Sequence, residues 1–544
     1  MSNETHEAPA NTYLKHEEII PILIGLMMGM FLAALDQTIV ATSIRTIGDQ
    51  LNGLSLQAWV TTAYLITSTI TTPLYGKLSD IFGRKPLFIW AISLFIGGSL
   101  LSAFANTMFT LAAFRAIQGL GAGGLFTLAL AIIGDIVPPR ERSKYQAYFI
   151  AVFGTSSVLG PVIGGFFSGQ ASILGLDGWR WIFFVNVPIG FIALFIVNRT
   201  LHIPGFHKVD HRLDFSGAAA LTTSLVPLLL VAEKGREWGW TSTDSLVCYA
   251  LGVIGLIWFI IAEKRMGDEA LIPLRLFKDK TFSVITVINV ITGIGMFGGL
   301  AVLPLYLQIV GGADPTKAGL QLLPLTMGIM SGSVFSGQTI SRIGRYKMFP
   351  LAGSILMTLT LAWMTQITAV TSYGIIAIMS FFFGFGLGNL MQPTVLAVQN
   401  AVSPRDIGVA TSSVTLFRQL GATLGTALFL SLLFGRLGDL VGARFETAFA
   451  TDAYQAALMD PANAETAQKL QSLQTAGGDA FNDTSWLASA NQILVRPILD
   501  GFTDATTLVC GVGAAITAFS IIFAIMVPNN ELRGRHDSAP SAGH

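Results

Sequence analysis

The sequence is dominated by long apolar runs, each close to the roughly 20 residues that an α-helix needs to cross the hydrocarbon core of a membrane. Six runs precede the first long polar gap, at 19–42, 58–75, 87–105, 108–133, 145–168 and 181–197. A close pair and six more runs follow, at 214–233, 245–262, 281–307, 317–340, 348–367, 373–399, 407–434 and 503–527. The sequence therefore predicts an all-α integral membrane protein with 14 transmembrane helices.

The order of the runs divides the chain into two groups of six helices with two helices between them. The expected units are an N-terminal six-helix bundle at 19–198, two inserted helices at 213–262 and a C-terminal six-helix bundle at 281–527. Polar tails at 1–18 and 528–544 flank them. The apolar run after the first tail is too long for the core of a cleavable signal, so we expect the first helix to anchor the chain.

Composition argues against several other classes of protein. Charged residues make up 12% of the 544 positions, about half the fraction found in soluble proteins. The 32 basic and 32 acidic residues cancel, so we expect no nucleic-acid partner. Cys248 and Cys510 both lie in apolar runs, which argues against a disulfide framework and against a metal site.

Lysine and arginine set the expected orientation, because short loops rich in these residues stay in the cytoplasm. With the N-terminus inside, cytoplasmic segments hold 21 of the 32 basic residues and short outer loops hold five. Both termini are therefore predicted to be cytoplasmic. A long outer insertion at 435–501 is rich in Ala, Gln and Asp and has a net charge of −4. It is either a solvated spacer or a docking surface for an extracytoplasmic partner.

A short motif occurs once in each half, as GKLSDIFGRK and as GQTISRIGRYK. The residues that keep the same spacing are Gly76, Gly83 and Arg84 in the first copy and Gly337, Gly344 and Arg345 in the second. Each copy follows the second helix of its half, which indicates a duplicated six-helix unit. In the first copy Asp80, Arg84 and Lys85 place opposite charges at helix ends, where they can latch helices together. The second copy has Ser341 where the first has Asp80, so we expect an asymmetric gate.

Ionisable residues inside an apolar run are costly and usually face a polar cavity. Asp36 and Arg115 lie about 10 Å below the predicted outer boundary of the first and fourth helices, at similar depth. They either form a static pair or make a site where Asp36 exchanges a proton. Arg418, near the middle of the thirteenth helix, is a second candidate, or it simply binds backbone carbonyls.

The fifth run contains GPVIGG, with Gly160, Pro161, Gly164 and Gly165. Glycines four residues apart permit close contact between helices, and the proline bends the backbone. Ordinary helix packing is the simpler interpretation of this segment.

These motifs together resemble the major facilitator superfamily, specifically its fourteen-helix drug:proton antiporter branch, over nearly the whole chain. The matching segments are LDQTIV at 35–40, WVTTAYLI at 59–66, GKLSDIFGRK at 76–85, RAIQGLGAGG at 115–124, GPVIGG at 160–165 and WRWIFFVNVPIG at 179–190. The resemblance implies two pseudo-symmetric six-helix bundles around a central cavity, with two inserted helices. It also implies export coupled to inward proton flow.

Roles for individual residues follow from the same resemblance. Asp36 would be the protonatable acid with Arg115 as its modulator, Asp80 and Arg84 the cytoplasmic latch, and Gly160 with Pro161 the helix-bending element of antiporters. Candidates for lining the substrate cavity are Gln37, Tyr64, Gln118, Gln321, Gln392 and Arg418. We expect no cofactor beyond the proton gradient, no metal, and a monomer in the bacterial cytoplasmic (inner) membrane.

The substrate is expected to be an amphiphilic small molecule such as a drug, a toxic metabolite or a lipid. Exporters of this branch that handle dications often carry further acids in the second, tenth and thirteenth helices, where this chain has Thr62, Ile329 and Val414. That difference favours neutral, anionic or singly charged amphiphiles.

Three alternative functions stay open. The first is a lipid or glycolipid exporter that works with an extracytoplasmic partner at 435–501, and the second is a proton symporter. The third is a membrane-embedded enzyme, against which the loops show no aspartate-rich metal motif, no His/Cys ligand cluster and no nucleophile elbow. The sequence also lacks the phosphate loop that an ATP-driven pump requires.

Overall fold

The structure is a computed structural model, and it describes residue 14 and residues 16–51, 57–202, 214–313, 315–476, 485–488 and 490–532. The predicted tails at 1–18 and 528–544 lie largely outside these residues, as does the middle of the 435–501 insertion. Within the described part nearly every residue of an apolar run is helical.

The first six runs form seven helices in the structure, because the sixth run is divided into two. The helices are α1 (His16–Gln50), α2 (Gln57–Phe82), α3 (Arg84–Ala103), α4 (Met108–Ile136), α5 (Pro139–Ser168), the short α6 (Trp181–Phe184) and α7 (Asn186–Thr200). A capping box at Thr107 begins α4, where the side chain accepts a hydrogen bond from the backbone N–H of Thr110. A short antiparallel hairpin lies between α5 and α6, and its strands β1 (Ser172–Ile173) and β2 (Leu176–Asp177) have two residues each.

The inserted pair forms a hairpin of α8 (Phe215–Trp238) and α9 (Thr243–Met266). The hairpin packs through α8 against α2 of the first half and against the thirteenth predicted helix. Apolar side chains such as Leu251, Ile254 and Trp258 remain exposed along α9. A helix that is apolar on its exposed side suits contact with lipid tails.

The second half contains six long helices that correspond to its six runs. They are α10 (Lys280–Ile309), α11 (Pro315–Gln321) continued by α12 (Leu323–Ile343), α13 (Met348–Met364), α14 (Tyr373–Ala401), α15 (Ile407–Phe449) and α18 (Gln492–Met526). Helix packing repeats between the halves. Helix α2 packs on α4 as α12 packs on α14, and α1 packs on α5 as α10 packs on α15.

Eleven helices in the described part of the chain are long and apolar enough to cross a membrane, and two shorter apolar helices accompany them. The chain is therefore a multi-pass membrane protein with an all-α fold. The total of 14 spans is consistent with this architecture and stays a prediction.

The predicted insertion at 435–501 is built partly from extensions of its flanking helices. Helix α15 continues 15 residues past the predicted end at 434, and α18 begins 11 residues before the predicted start at 503. The short helices α16 (Asp452–Met459) and α17 (Ala464–Ala476) lie between them. The buried ring of Tyr454 packs edge-on against Phe449, 5.1 Å between centroids, which holds α16 on the extension of α15.

Candidate functional site

A buried polar cluster surrounds Asp36 inside the first half. The side chains of Asp36 and Arg115 are each about 1% exposed, and the guanidinium of Arg115 forms an ion pair with Asp36 Oδ2. Two amides donate to the other carboxylate oxygen: Gln118 Nε2 lies 2.8 Å and Asn186 Nδ2 lies 2.9 Å from Asp36 Oδ1. Helices α1, α4 and α7 thus converge on one carboxylate, which receives a charged donor and two neutral donors.

A second layer of side chains holds the donors in place. The Tyr64 ring from α2 lies against the Arg115 guanidinium, 4.2 Å from its centre. Asn186 Nδ2 also lies 3.0 Å from the hydroxyl of Ser99 on α3. Asn186 and Ser99 were not among the sequence candidates. Asn186 could have been proposed from the sequence, because it is a polar amide inside the apolar run 181–197.

A central cavity of about 340 Å³ lies between the two halves. Eight helices contribute to its wall: α1, α2, α4 and α5 from the first half and α10, α12, α14 and α15 from the second. The lining is mostly apolar, with Met, Phe and Leu side chains, and carries scattered amides and hydroxyls. Such a surface suits an apolar molecule with a few polar groups.

The six cavity candidates divide into two sets. Gln37, Gln392 and Arg418 line the cavity. Tyr64, Gln118 and Gln321 do not line it, which corrects the expectation for these three. Gln118 lies one turn after Arg115 on α4, so both side chains point into the Asp36 cluster, and Tyr64 covers that cluster.

Gln321 lies instead at the end of α11, where its carbonyl accepts a hydrogen bond from the Tyr373 hydroxyl. Asp36 itself is absent from the cavity wall, although its neighbour Gln37 on α1 is part of it.

The residues of the predicted latch, in the first copy of the repeated motif, contact both halves of the molecule. Asp80 is paired with Arg84 at 2.5 Å, and Arg84 Nε also lies 2.7 Å from Asp135 on α4. Asp80 Oδ2 accepts a hydrogen bond of 3.1 Å from the backbone N–H of Val409, in the first turn of α15. A carboxylate at a helix N-terminus satisfies a free N–H and the helix dipole together.

The latch is more buried than its place at a helix end suggests, since Arg84 is only 5% exposed. Asp80 lies beyond the predicted span 58–75. Burial raises the pKa of its carboxyl to about 6, and the Arg84 guanidinium opposes that rise. Lys85 lies outside the latch and donates to the carbonyl of Asn198 at 2.7 Å.

The second copy of the motif has different partners. Arg345 is paired with Glu531 at 2.7 Å, on the surface near the C-terminal end of the described chain. Gly83 and Gly344 both adopt a positive φ, 96° and 75°, which glycine adopts without strain. Gly337 is buried in α12. The two copies therefore share a glycine with positive φ, but they differ in ψ at that glycine (152° and 13°) and make unlike ion pairs.

Residues of GPVIGG bring α5 close to α1. A Cβ at Gly160 would overlap the side chain of Thr38, and one at Gly164 would lie 2.9 Å from the carbonyl oxygen of Ile39. A Cβ at Gly165 would meet nothing within 4 Å. Helix α5 continues without a break through Pro161. Two of the glycines thus serve the contact with α1, the helix that carries Asp36.

Comparison with known proteins decides the family. Residues 26–426, well over half of the chain, match the Major Facilitator Superfamily. The chain belongs to the major facilitator superfamily. It is 34% identical over 427 residues to the multidrug transporter protein MdtP of Bacillus subtilis (strain 168), covering 77% of this chain and 76% of that protein. It is 35% identical over 412 residues to Multidrug resistance protein 3 of the same strain, covering 75% and 78% of the two chains.

Solved structures agree on the fold. The proton:xylose symporter XylE bound to 6-bromo-6-deoxy-D-glucose superposes with a TM-score of 0.59 at 16% identity, covering 95% of this chain and 98% of that one. The expected family and the all-α facilitator fold are thereby confirmed. Members of this superfamily among the relatives are transporters, so the chain is a transporter rather than an enzyme.

The facilitator fold gives the α1–α5 contact a testable consequence. We expect Gly164→Val to lower transport strongly, because the added methyl groups meet the backbone of α1 and overpacking costs about 1–3 kcal/mol. The neighbouring Gly165→Val is the matched control and should leave transport near the parental rate. Uptake into inverted vesicles, normalised to the amount of protein, measures both. Equal loss in the two variants would contradict this account of the contact.

Proposed function

We propose that this transporter is a proton-coupled antiporter that exports amphiphilic small molecules by alternating access. The observation that carries the proposal is the Asp36 cluster, a carboxylate buried within the transport domain and held by one arginine and two amides. Such a buried acid is a functional site by default in a membrane protein. The multidrug transporters among the relatives support export as the direction.

The cluster and the cavity share helix α1, and that shared helix is the proposed route of coupling. Asp36 faces the cluster while Gln37, the next residue, faces the cavity. A substrate that moves α1 therefore alters the fit of Asp36 against Arg115. Whether the carboxylate holds a proton then depends on whether the guanidinium is in place, and the effect is reciprocal.

The latch supplies the second element of an alternating-access cycle. In this structure Asp80 joins α2 to the N-terminus of α15, and we propose that this contact between the halves closes one end of the cavity. We propose that this end is cytoplasmic in a bacterial inner membrane, as the distribution of basic residues predicts. Opening toward the cytoplasm then requires the Asp80–Val409 contact to break.

A lipid exporter with an extracytoplasmic partner remains the second candidate, favoured by the length of α15. Its 43 residues correspond to about 65 Å, roughly twice the hydrocarbon core. In this second candidate the extension, together with α16 and α17, is proposed to lie outside the membrane and to offer a surface to another protein. Deletion of the insertion at 435–501 would abolish export of a lipid but leave resistance to drugs unchanged.

Transport in proteoliposomes with an imposed pH gradient tests the main proposal. A panel of neutral, anionic, cationic and lipidic amphiphiles would be offered, with protein-free liposomes as the control. We expect accumulation in the compartment that is more acidic, as antiport requires. Accumulation in the alkaline compartment would mean symport, and equal levels with and without the gradient would mean that transport is not coupled to protons.

A further inference from the structure

Arg418 occupies an unusual place in the cavity wall. It lies 11 residues after the start of α15, about 16 Å along the helix axis and therefore near mid-membrane depth. Among the described residues it has neither a hydrogen bond nor an ion pair through its side chain. Arg418 is one of the residues that line the cavity, and its side chain is only half-buried.

The fully buried arginines of the described chain have partners. Arg84 is paired with Asp80 and Asp135, Arg115 with Asp36, and Arg142 Nε donates to the carbonyl of Val137 at 2.8 Å. Arg418 differs from these three, because it is half-buried in the cavity wall and has no such partner among the described residues. A cation in a membrane interior without a counter-charge is costly, and such residues persist where they act on a ligand or an ion.

The other lining residues do not compensate the charge. Among the described residues of the cavity wall none is acidic, and Arg418 is the one charged group. The amides in the same lining, those of Gln37, Gln392 and Gln419, are uncharged. Asp36 is not in the wall and is already paired with Arg115. The cavity therefore carries a net positive charge surrounded by apolar surface, where an anion is attracted strongly.

We propose that the substrate is an anionic amphiphile, with a carboxylate, sulfonate or sulfate group that binds Arg418 and an apolar body that occupies the Met- and Phe-lined part of the cavity. This inference rests on the proposed function, because it assigns the chemistry of the molecule that the cavity carries. The planar guanidinium presents two parallel N–H groups, which match the two oxygens of such a group. The amides of Gln37, Gln392 and Gln419 elsewhere in the lining add neutral polar groups to the same cavity.

A matched pair of probes tests the charge preference. 8-Anilino-1-naphthalenesulfonate and N-phenyl-1-naphthylamine share one apolar scaffold and differ by the sulfonate. Affinities for the full-length protein in nanodiscs, measured without a proton gradient, would be compared for the parent, Arg418→Gln and Arg418→Lys. We expect the parent to prefer the sulfonate by about 10- to 100-fold, the range for a charge-assisted contact. Arg418→Gln should remove at least about ten-fold of that preference, and Arg418→Lys should keep most of it.

Arg436→Gln is the control, since it removes a positive charge from an exposed position on the same helix. It should leave the preference as in the parent. A parent that binds both probes equally, or an Arg418→Gln variant that keeps the full preference, would overturn the proposal. Either result would leave the proposed antiport intact if neutral amphiphiles are still driven by a pH gradient. If a pH gradient drives transport of no amphiphile, the proposed antiport is contradicted. The binding preference of the parent and of Arg418→Gln still tests the role of Arg418 in that case.

Discussion

Asp36→Asn is expected to reduce transport driven by a pH gradient to the level of protein-free liposomes. The amide keeps the shape of the side chain and an oxygen for Gln118 and Asn186, but it cannot release a proton. The variant therefore imitates the permanently protonated state of the site. Substrate binding and exchange of labelled for unlabelled substrate without a gradient should persist, because neither requires net proton movement.

Loss of the carboxylate also leaves the Arg115 charge buried without a counter-charge, which can destabilise the fold. Thermal unfolding of each variant should therefore be measured alongside transport. The double variant Asp36→Asn/Arg115→Gln removes both charges and should regain stability without regaining coupling. Asp177→Asn, in a partly buried ion pair with Arg180 outside the Asp36 cluster, is the matched control and should remain coupled. A substrate gradient built by Asp36→Asn from an imposed pH gradient would place the proton site elsewhere.

Gly76→Ala is expected to produce a comparable loss for a steric reason. A Cβ at this position would lie 2.6 Å from Ser412 Cβ and 2.9 Å from the carbonyl oxygen of Gly408, so α2 and α15 would have to separate. Overpacking of this kind costs about 1–3 kcal/mol, which shifts the balance away from the closed latch by roughly 5- to 150-fold. Cysteine labelling from the latch end of the cavity should rise as transport falls.

A second substitution distinguishes this clash from a general defect. In Gly76→Ala/Ser412→Gly the side chain that meets the new methyl is removed and only the Gly408 carbonyl remains close, so much of the transport should return. Gly97→Ala is the control, since a Cβ there meets nothing within 4 Å. Failure of Ser412→Gly to restore any transport would show that Gly76 acts through something other than this contact.

Local sequence signals predicted the positions of the helices well, because an apolar run of 20 residues has few alternatives to a membrane helix. Helix ends were less predictable. Hydropathy falls after 434, yet α15 continues to Phe449 because buried Leu437 and Val441 repeat at helical spacing and pack against α18. Hydropathy reports the lipid boundary, and packing outside the membrane decides where the helix stops.

The candidate site was predictable where chemistry is concentrated in single residues. The predicted depth of Asp36 and Arg115 indicated that the two lie close together, since both were placed about 10 Å below the same membrane boundary. The partners Asn186, Asp135 and Val409 could not be assigned, because they are far away in sequence and are chosen by tertiary contacts. The same limit applies to burial, because Arg84 lies at a helix end and is nevertheless buried by tertiary contacts.

Asp36 does not line the cavity, and this separation has a kinetic consequence. In the proposed mechanism the proton binds Asp36 and the substrate binds in the cavity, which Gln37 lines and Asp36 does not, so neither ligand displaces the other directly. Double-reciprocal plots of transport rate against substrate concentration, measured at several outside pH values, should then show mixed inhibition by protons. Competitive inhibition would instead give lines with a common intercept on the rate axis. As the substrate concentration is raised to saturation, the proton concentration that gives half-maximal transport should change to a limiting value and no further. The ratio of its values without and with saturating substrate measures the coupling between the two ligands. An exporter in which both ligands bound one carboxylate would show no such limiting value.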